Sequence, residues 1–121
     1  MKTAIIILGH GSRSTGADEA IKQIAGEVKR FGTFEIVAHA FLQYASPSLN
    51  HALEDCIQKQ ATKVIIVPFL MQSGTHVAND IPALMMKAKQ RHPDVDIQVT
   101  DHVGAHPLMI EIVKDLANKS R

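Results

Sequence analysis

The sequence predicts an α/β fold: one three-layer domain with a four-stranded parallel sheet and the element order βαβαβαβα. Three observations lead there. Short apolar runs rich in β-branched residues alternate four times with longer stretches in which apolar residues recur about every 3.6 positions. Two of the short runs are continuously apolar, as expected of central parallel strands shielded on both faces. The 121 residues, 45% hydrophobic, are the length of one domain, taken as 1–121, which buries enough surface to fold without staples.

Residues 3–8 (TAIIIL) read as the first strand, and Ile21, Ile24, Val28 and Phe31 as the apolar stripe of the first helix, which Gly32 terminates. Residues 35–42 (EIVAHAFL) form the second strand. Ser46-Pro47 reads as a cap followed by proline at the first helical position, opening a helix with the stripe Leu49, Leu53, Cys56 and Ile57. Residues 63–70 (KVIIVPFL) are the third strand. The third helix is expected over about 78–91, with Pro82 near its start, Asn79 or Asp80 as cap and Pro93 beyond its end. Residues 96–100 (DIQVT) alternate, which suggests an edge strand, and Pro107 opens a last helix with the stripe Leu108, Ile112, Val113 and Leu116. Right-handed crossovers leave few topologies for this order. The flavodoxin-like one, with strand 1 beside strand 3, is the expectation.

Composition excludes several function classes. Thirteen basic residues face twelve acidic ones, six against six in residues 1–60 and seven against six in 61–121. Neither half is a basic arm, so neither nucleic acid nor a membrane is an expected partner. The apolar runs 4–8 and 64–71 are strand-sized, too short for a signal core or a membrane span. Cys56 is the only cysteine, which fits a reducing, cytoplasmic setting. Seven histidines are the compositional oddity, and imidazole is the side chain best suited to metals and protons at neutral pH.

In open parallel sheets ligands bind outside the carboxyl ends of the strands. Gly9-His10-Gly11-Ser12-Arg13 follows the first strand and Gln72-Ser73-Gly74-Thr75-His76 the third. If those strands are neighbours, His10 and His76 face one crevice. Gly9, Gly11 and Gly74 permit positive φ and close approach of a ligand. A tight turn needs such glycines but not the imidazole between them. The other histidines read more simply: His39 as a satisfied core residue, His51 and His92 as solvated helix residues, His102 and His106 as supporting or capping groups on the same rim. No G-x-G-x-x-G, P-loop or G-x-S-x-G occurs, and Gly9 stands where a histidine phosphatase needs arginine before His-Gly. What remains is two imidazoles, a helix N-terminus and Arg13, a set that suits a metal ion and a carboxylate-bearing ligand. Phe41, Leu42, Tyr44, Phe69, Leu70 and Met71 leave strands 2 and 3 at the same edge and offer an apolar wall.

Four motifs together resemble the short form of the sirohydrochlorin cobaltochelatase family, within the class II chelatases. They are IIILGHGSR at 5–13, F-L-x-x-x-S-P-S-L-x-x-A-L at 41–53, V-P-F-L-x-x-S-G-T-H-V-x-x-D-I-P at 67–82 and V-G-A-H-P-L at 103–108. The resemblance implies a chelatase fold that inserts a divalent metal into sirohydrochlorin without ATP or organic cofactor. It also implies two active-site histidines matching His10 and His76, and a homodimer, because longer members carry two such halves. Substrate contacts then fall on Gly11, Ser12, Arg13, Gln43, Tyr44, Ser73, Gly74 and Thr75. The chain departs from some members in having no histidine-rich tract, and in neutral Gln43 where an acidic residue is common. The metal, cobalt first, stays open to iron and nickel, and so does the pathway, cobalamin or another tetrapyrrole.

The chemistry of the residues agrees. Metallation of a tetrapyrrole releases two pyrrole N–H protons, so the site needs a metal dock and a base, and neutral imidazole can be both. Arg13 and the backbone N–H groups around Ser12 can receive ring carboxylates. His76 is read as main metal ligand and His10 as ligand and proton acceptor, two roles that can be exchanged. Asp80 either orients His76 or caps the third helix. The rival classes are a non-catalytic metal or tetrapyrrole carrier with the same crevice, and a nucleotide-binding flavodoxin-like domain.

Overall fold

The computed structural model describes every residue except Ser14 and Ser73, and every side chain except theirs and those of Thr15, Thr75, His76, Val77 and Ala78. Four strands, β1 (Lys2–Gly9), β2 (Ile36–Phe41), β3 (Ala61–Pro68) and β4 (Asp96–Val99), alternate with α1 (Thr15–Phe31), α2 (Leu49–Gln58), α3 (Thr75–Arg91) and α4 (Leu108–Lys119). The strands pair in the order β2-β1-β3-β4, all parallel. β1 and β3 are therefore central neighbours, as the continuous apolar runs require, and the alternating β4 is an edge.

Side-chain alternation divides the core into two layers. Ala4, Ile6 and Leu8 of β1, with Val64 and Ile66 of β3 and Ile97 of β4, pack beneath α2 and α3 against Leu49, Leu53, Cys56, Ile81 and Met85. Ile5 and Ile7, on the opposite face, pack with Phe41 against Ile21 and Ala25 of α1. Burying side chains of this size contributes about 1.5–3 kcal/mol each, and both layers share β1, so the central strand ties them together. α1 lies over β1 and β2 only. Consequently Ile65 and Val67, on the α1 side of β3, are only partly buried, with Val67 packed against the α1-side cluster, so this face of the strand is covered less fully than expected.

Two helix boundaries differ from expectation. Ser48, not Ser46, caps α2: its hydroxyl accepts from the His51 N–H at 3.1 Å, while the Ser46-Pro47 peptide is cis. That pair lies in the turn before the helix, which begins at Leu49. α3 starts at Thr75 with Gly74 as its cap, so Asn79 and Asp80 are interior residues and Pro82 lies within the helix. An interior proline disfavours a helix by about 3 kcal/mol, and burial of Ile81 and Met85 beside it opposes that cost. At the end of α1, Gly32 at φ 72 stops the helix as expected, but Phe31, expected in its apolar stripe, turns out to solvent.

α4 has the amphipathic pattern read from sequence yet does not bury it. Leu108, Ile112, Val113 and Leu116 are 48–63% exposed, and α4 makes no extended contact with any strand or other helix among the described residues. No helix among those residues is long and apolar enough to cross a membrane.

Candidate functional site

The turn after β1 is fixed by the backbone before any side chain matters. Leu42 N–H donates to the Gly9 carbonyl and Gln43 N–H to the His10 carbonyl, both at 3.1 Å, and Phe69 N–H donates to the Leu8 carbonyl at 2.7 Å. The strand ladder thus continues past the sheet and holds the loops after β1, β2 and β3 side by side. Gly11 sits at φ +93, and a Cβ there would fall 1.6 Å from the Gln43 carbonyl oxygen. Only glycine lets the two loops meet. Gly9 serves differently, as its Cβ would press on Ile21 at 2.9 Å. Gly74 needs no such licence: its φ is −77 and nothing lies within 4 Å of its would-be Cβ.

These constraints present His10 to solvent at the mouth of a crevice of about 530 Å³. Gly11, Ser12, Asp18, Phe69 and Met71 share that crevice, between the start of α1 and the loop after β3. The Gln43 side-chain amide lies 3.1 Å from His10 Nδ1. Tyr44, at φ 61, turns its ring beneath the Arg13 guanidinium, 4.6 Å from ring centroid to Cζ. The stacked cation is thereby held at the rim rather than left to wander.

His76 is the second residue of α3, at the carboxyl end of β3 and so beside the end of β1 where His10 stands. Its side chain and that of Thr75, like Ser73 altogether, lie outside the described residues. Among those described, no group of three or more His, Cys, Asp or Glu is placed to hold a metal. Asp80, one helical turn after His76, lines a smaller hollow with Leu42, Ala83, Leu84 and Lys87.

The remaining histidines separate from this crevice. His39 packs edge-on to Phe41 with centroids 5.9 Å apart, and desolvation there lowers its pKa. His92 is not solvated: its Nε2 lies 2.8 Å from a Glu54 oxygen, beside Arg91, which bonds both Glu54 and Asn50. His106 accepts the Leu108 N–H at 3.1 Å through Nδ1, the capping role, and His102 lines clefts beside β4. Sequence reading of single motifs missed Asp18 as a crevice residue and Gln43 as the partner of His10. The periodicity of α1 carries the first signal, since Asp18 precedes the buried Ile21 by one turn; nothing local carries the second.

Comparison with known proteins bears on this arrangement. The chain is 31% identical over 111 residues to the chloroplastic sirohydrochlorin ferrochelatase of Arabidopsis thaliana, covering 92% of this chain and 49% of that protein. It is 25% identical over 138 residues to the sirohydrochlorin cobaltochelatase of Methanocaldococcus jannaschii, covering 94% and 96% respectively. The sirohydrochlorin chelatase SirB from Bacillus subtilis subspecies spizizenii, solved in complex with cobalt, superposes at a TM-score of 0.85 and 26% identity over 98% of this chain and 51% of that one. The chain thus spans about half the length of the ferrochelatase and of SirB, and nearly all of the Methanocaldococcus protein. A family model described as CbiX matches residues 4–120. With residues 4–120 matched by that model, the chain belongs to the CbiX family.

Proposed function

We propose that this protein inserts a divalent metal into sirohydrochlorin in the cytoplasm, as a homodimer, without ATP and without an organic cofactor. Co2+ is the first choice of metal, with Fe2+ and Ni2+ as alternatives, since relatives of both cobalt and iron type match it. The observation that carries the reading is the exposed His10 on a glycine turn at the end of β1, with His76 opening α3 at the end of the adjacent β3. Two imidazoles on one edge suit a metal that must be held and then released, because imidazole binds Co2+, Fe2+ and Ni2+ without locking any in place.

In the proposed reaction the metal enters the ring as two pyrrole N–H protons leave. His76 is the main metal ligand and His10 a ligand and proton acceptor, or the reverse. The Gln43 amide sets which His10 nitrogen is available: donating to Nδ1 it leaves the proton on Nε2, whereas the turned amide accepts from Nδ1–H and frees the Nε2 lone pair. Asp80 is the candidate for orienting His76. Arg13 receives a ring carboxylate, with Gly11, Ser12, Tyr44, Ser73, Gly74 and Thr75 as further substrate contacts. Phe69 and Met71 give the macrocycle an apolar wall.

The test is anaerobic metallation of sirohydrochlorin at limiting Co2+, Fe2+ or Ni2+. The protein should exceed the buffer rate with at least one metal, and His10→Ala and His76→Ala should each lower the rate by 100-fold or more, in the range general for lost acid–base or ligand groups. Wild-type rates in both variants, or no acceleration with any metal, overturn the proposal.

A further inference from the structure

Tyr44 stands where the backbone favours a different residue. Its φ of 61 lies in the left-handed region, which glycine and asparagine enter readily and a bulky aromatic residue rarely does. The cause is that both neighbours are tied. The Gln43 N–H donates to the His10 carbonyl at 3.1 Å, and the Ala45 N–H donates back to the Gln43 carbonyl at 2.8 Å. Residue 44 is thus the centre of a three-residue turn, and positive φ there makes it the rare, strained form. Core packing does not explain the choice of side chain, because Tyr44 is 61% exposed. Strain kept at an exposed residue calls for a contact that needs that side chain.

That contact is the Arg13 guanidinium, whose Cζ lies over the ring, 4.6 Å from its centroid. Arg30 and Arg91 hold carboxylates, those of Glu27 and Glu54, at 2.7 and 3.1 Å. Arg13 has no carboxylate partner among the described residues. A carboxylate would occupy the N–H groups on the guanidinium edge, whereas an aromatic ring takes the face and leaves the edge donors free. Holding the arginine in place also removes its rotamer freedom before a ligand arrives rather than on binding. The same turn serves His10, since the Gln43 amide lies 3.1 Å from its Nδ1. Adjacent residues of one loop therefore hold the imidazole and the guanidinium of the other, with Gly11 and Ser12 between them.

We propose that Tyr44 acts on the macrocycle through Arg13: its ring holds the guanidinium with the edge donors free for neighbouring acidic arms of one pyrrole, at a set offset from His10. The inference rests on the chelatase reading above and gives Tyr44 a positioning role in place of a direct contact. What this pair selects is a tetrapyrrole with carboxylates at its rim, because a planar fork of N–H donors matches carboxylate geometry. The metal step is left to the histidines.

Steady-state metallation of sirohydrochlorin, and titration of the full chain with metal-free sirohydrochlorin, test this role. Tyr44→Leu should raise the macrocycle KM and dissociation constant about three- to tenfold, with kcat and the KM for the metal moving far less. Tyr44→Phe, which keeps a ring face, should recover most of that affinity. Arg13→Ala should weaken binding by about tenfold or more. Adding Tyr44→Leu to it should weaken binding no further, because a residue that acts through Arg13 then has nothing to hold. Tyr44 is the only tyrosine and the chain has no tryptophan, so ultraviolet emission reports this ring alone. Arg13→Ala should change the yield of that emission in ligand-free protein. Wild-type affinity in Tyr44→Leu, a Phe variant as weak as the Leu one, independent losses in the double variant, or emission that ignores Arg13 overturns the inference while the chelatase reading stands. A wild-type protein that binds no sirohydrochlorin overturns this role as well, whereas its metallation rate judges the chelatase reading separately.

Discussion

His10 owes its exposure to the residue after it. Gly11→Ala must accept a Cβ in left-handed backbone and against the Gln43 carbonyl, so one loop has to move. We expect a loss of at least about 2 kcal/mol in urea unfolding, with metallation falling with it because the turn carries the imidazole. Unchanged stability and rate in Gly11→Ala sink this account of the turn. Cys56 behaves in the opposite way. It is buried among apolar side chains, desolvation being the main cause of a thiol pushed up to about 11, with the nearby Asp55 charge adding to it. The thiolate is the reactive form, so folded protein at pH 7.5 should not react with a disulfide reagent over an hour, and one equivalent should react in 6 M guanidinium. Fast labelling of the native protein refutes that placement. At this scale His10 and Gly11 are legible in the sequence, because a glycine–imidazole–glycine turn after a strand has few structural reasons to contain the imidazole. The pairing of Gln43 with His10 is not, since it depends on two loops 33 residues apart being zipped together.

Among elements, the α2–α3 contact depends on a small polar cluster. Glu54 of α2 bonds His92 and Arg91 at the end of α3, and Arg91 also bonds Asn50. Burial pushes the Glu54 carboxyl up, but the hydrogen bonds from His92 and Arg91 outweigh it and hold its pKa below the usual value of 4.5. A carboxylate with a depressed folded-state pKa contributes stability above its unfolded value and loses it as pH falls through the folded value. Glu54→Gln should therefore lower the unfolding midpoint at pH 6–7 and approach wild type below pH 4. Since Glu54 is about a third exposed, the neutral-pH effect should be modest, about 1 kcal/mol or less. A difference that grows on acidification contradicts the assignment. Here periodicity and capping chemistry read every helix and strand, while ends slipped where two signals competed. Pro82 looks like a start, but Ile81 and Met85 are buried enough to carry the helix through it. His92 looks solvated because its partner lies 38 residues away.

For the whole molecule, the adjacency of β1 and β3 was expected by analogy with flavodoxin-like sheets, and the two continuous apolar runs agree with both strands being central. The stripe on α4 was equally readable, but not its destination: amphipathicity states that a face will be covered, never by which copy. If a second chain covers it, folding and association are linked, and stability depends on protein concentration. A tenfold rise in concentration adds about 1.4 kcal/mol per dimer, or about 0.7 kcal/mol per chain. For a chain of this length that moves the thermal midpoint by about 2–3 °C. Scans at 1, 10 and 100 μM should show this staircase in the wild type and a flat line in Ile112→Asp, whose midpoint should lie below that of the wild type at 100 μM. A wild-type midpoint that ignores a hundredfold change in concentration would mean that the apolar arc of α4 is tolerated in water by a folded monomer. In that case the chain would have to enclose a macrocycle with His10, His76 and a single four-stranded sheet.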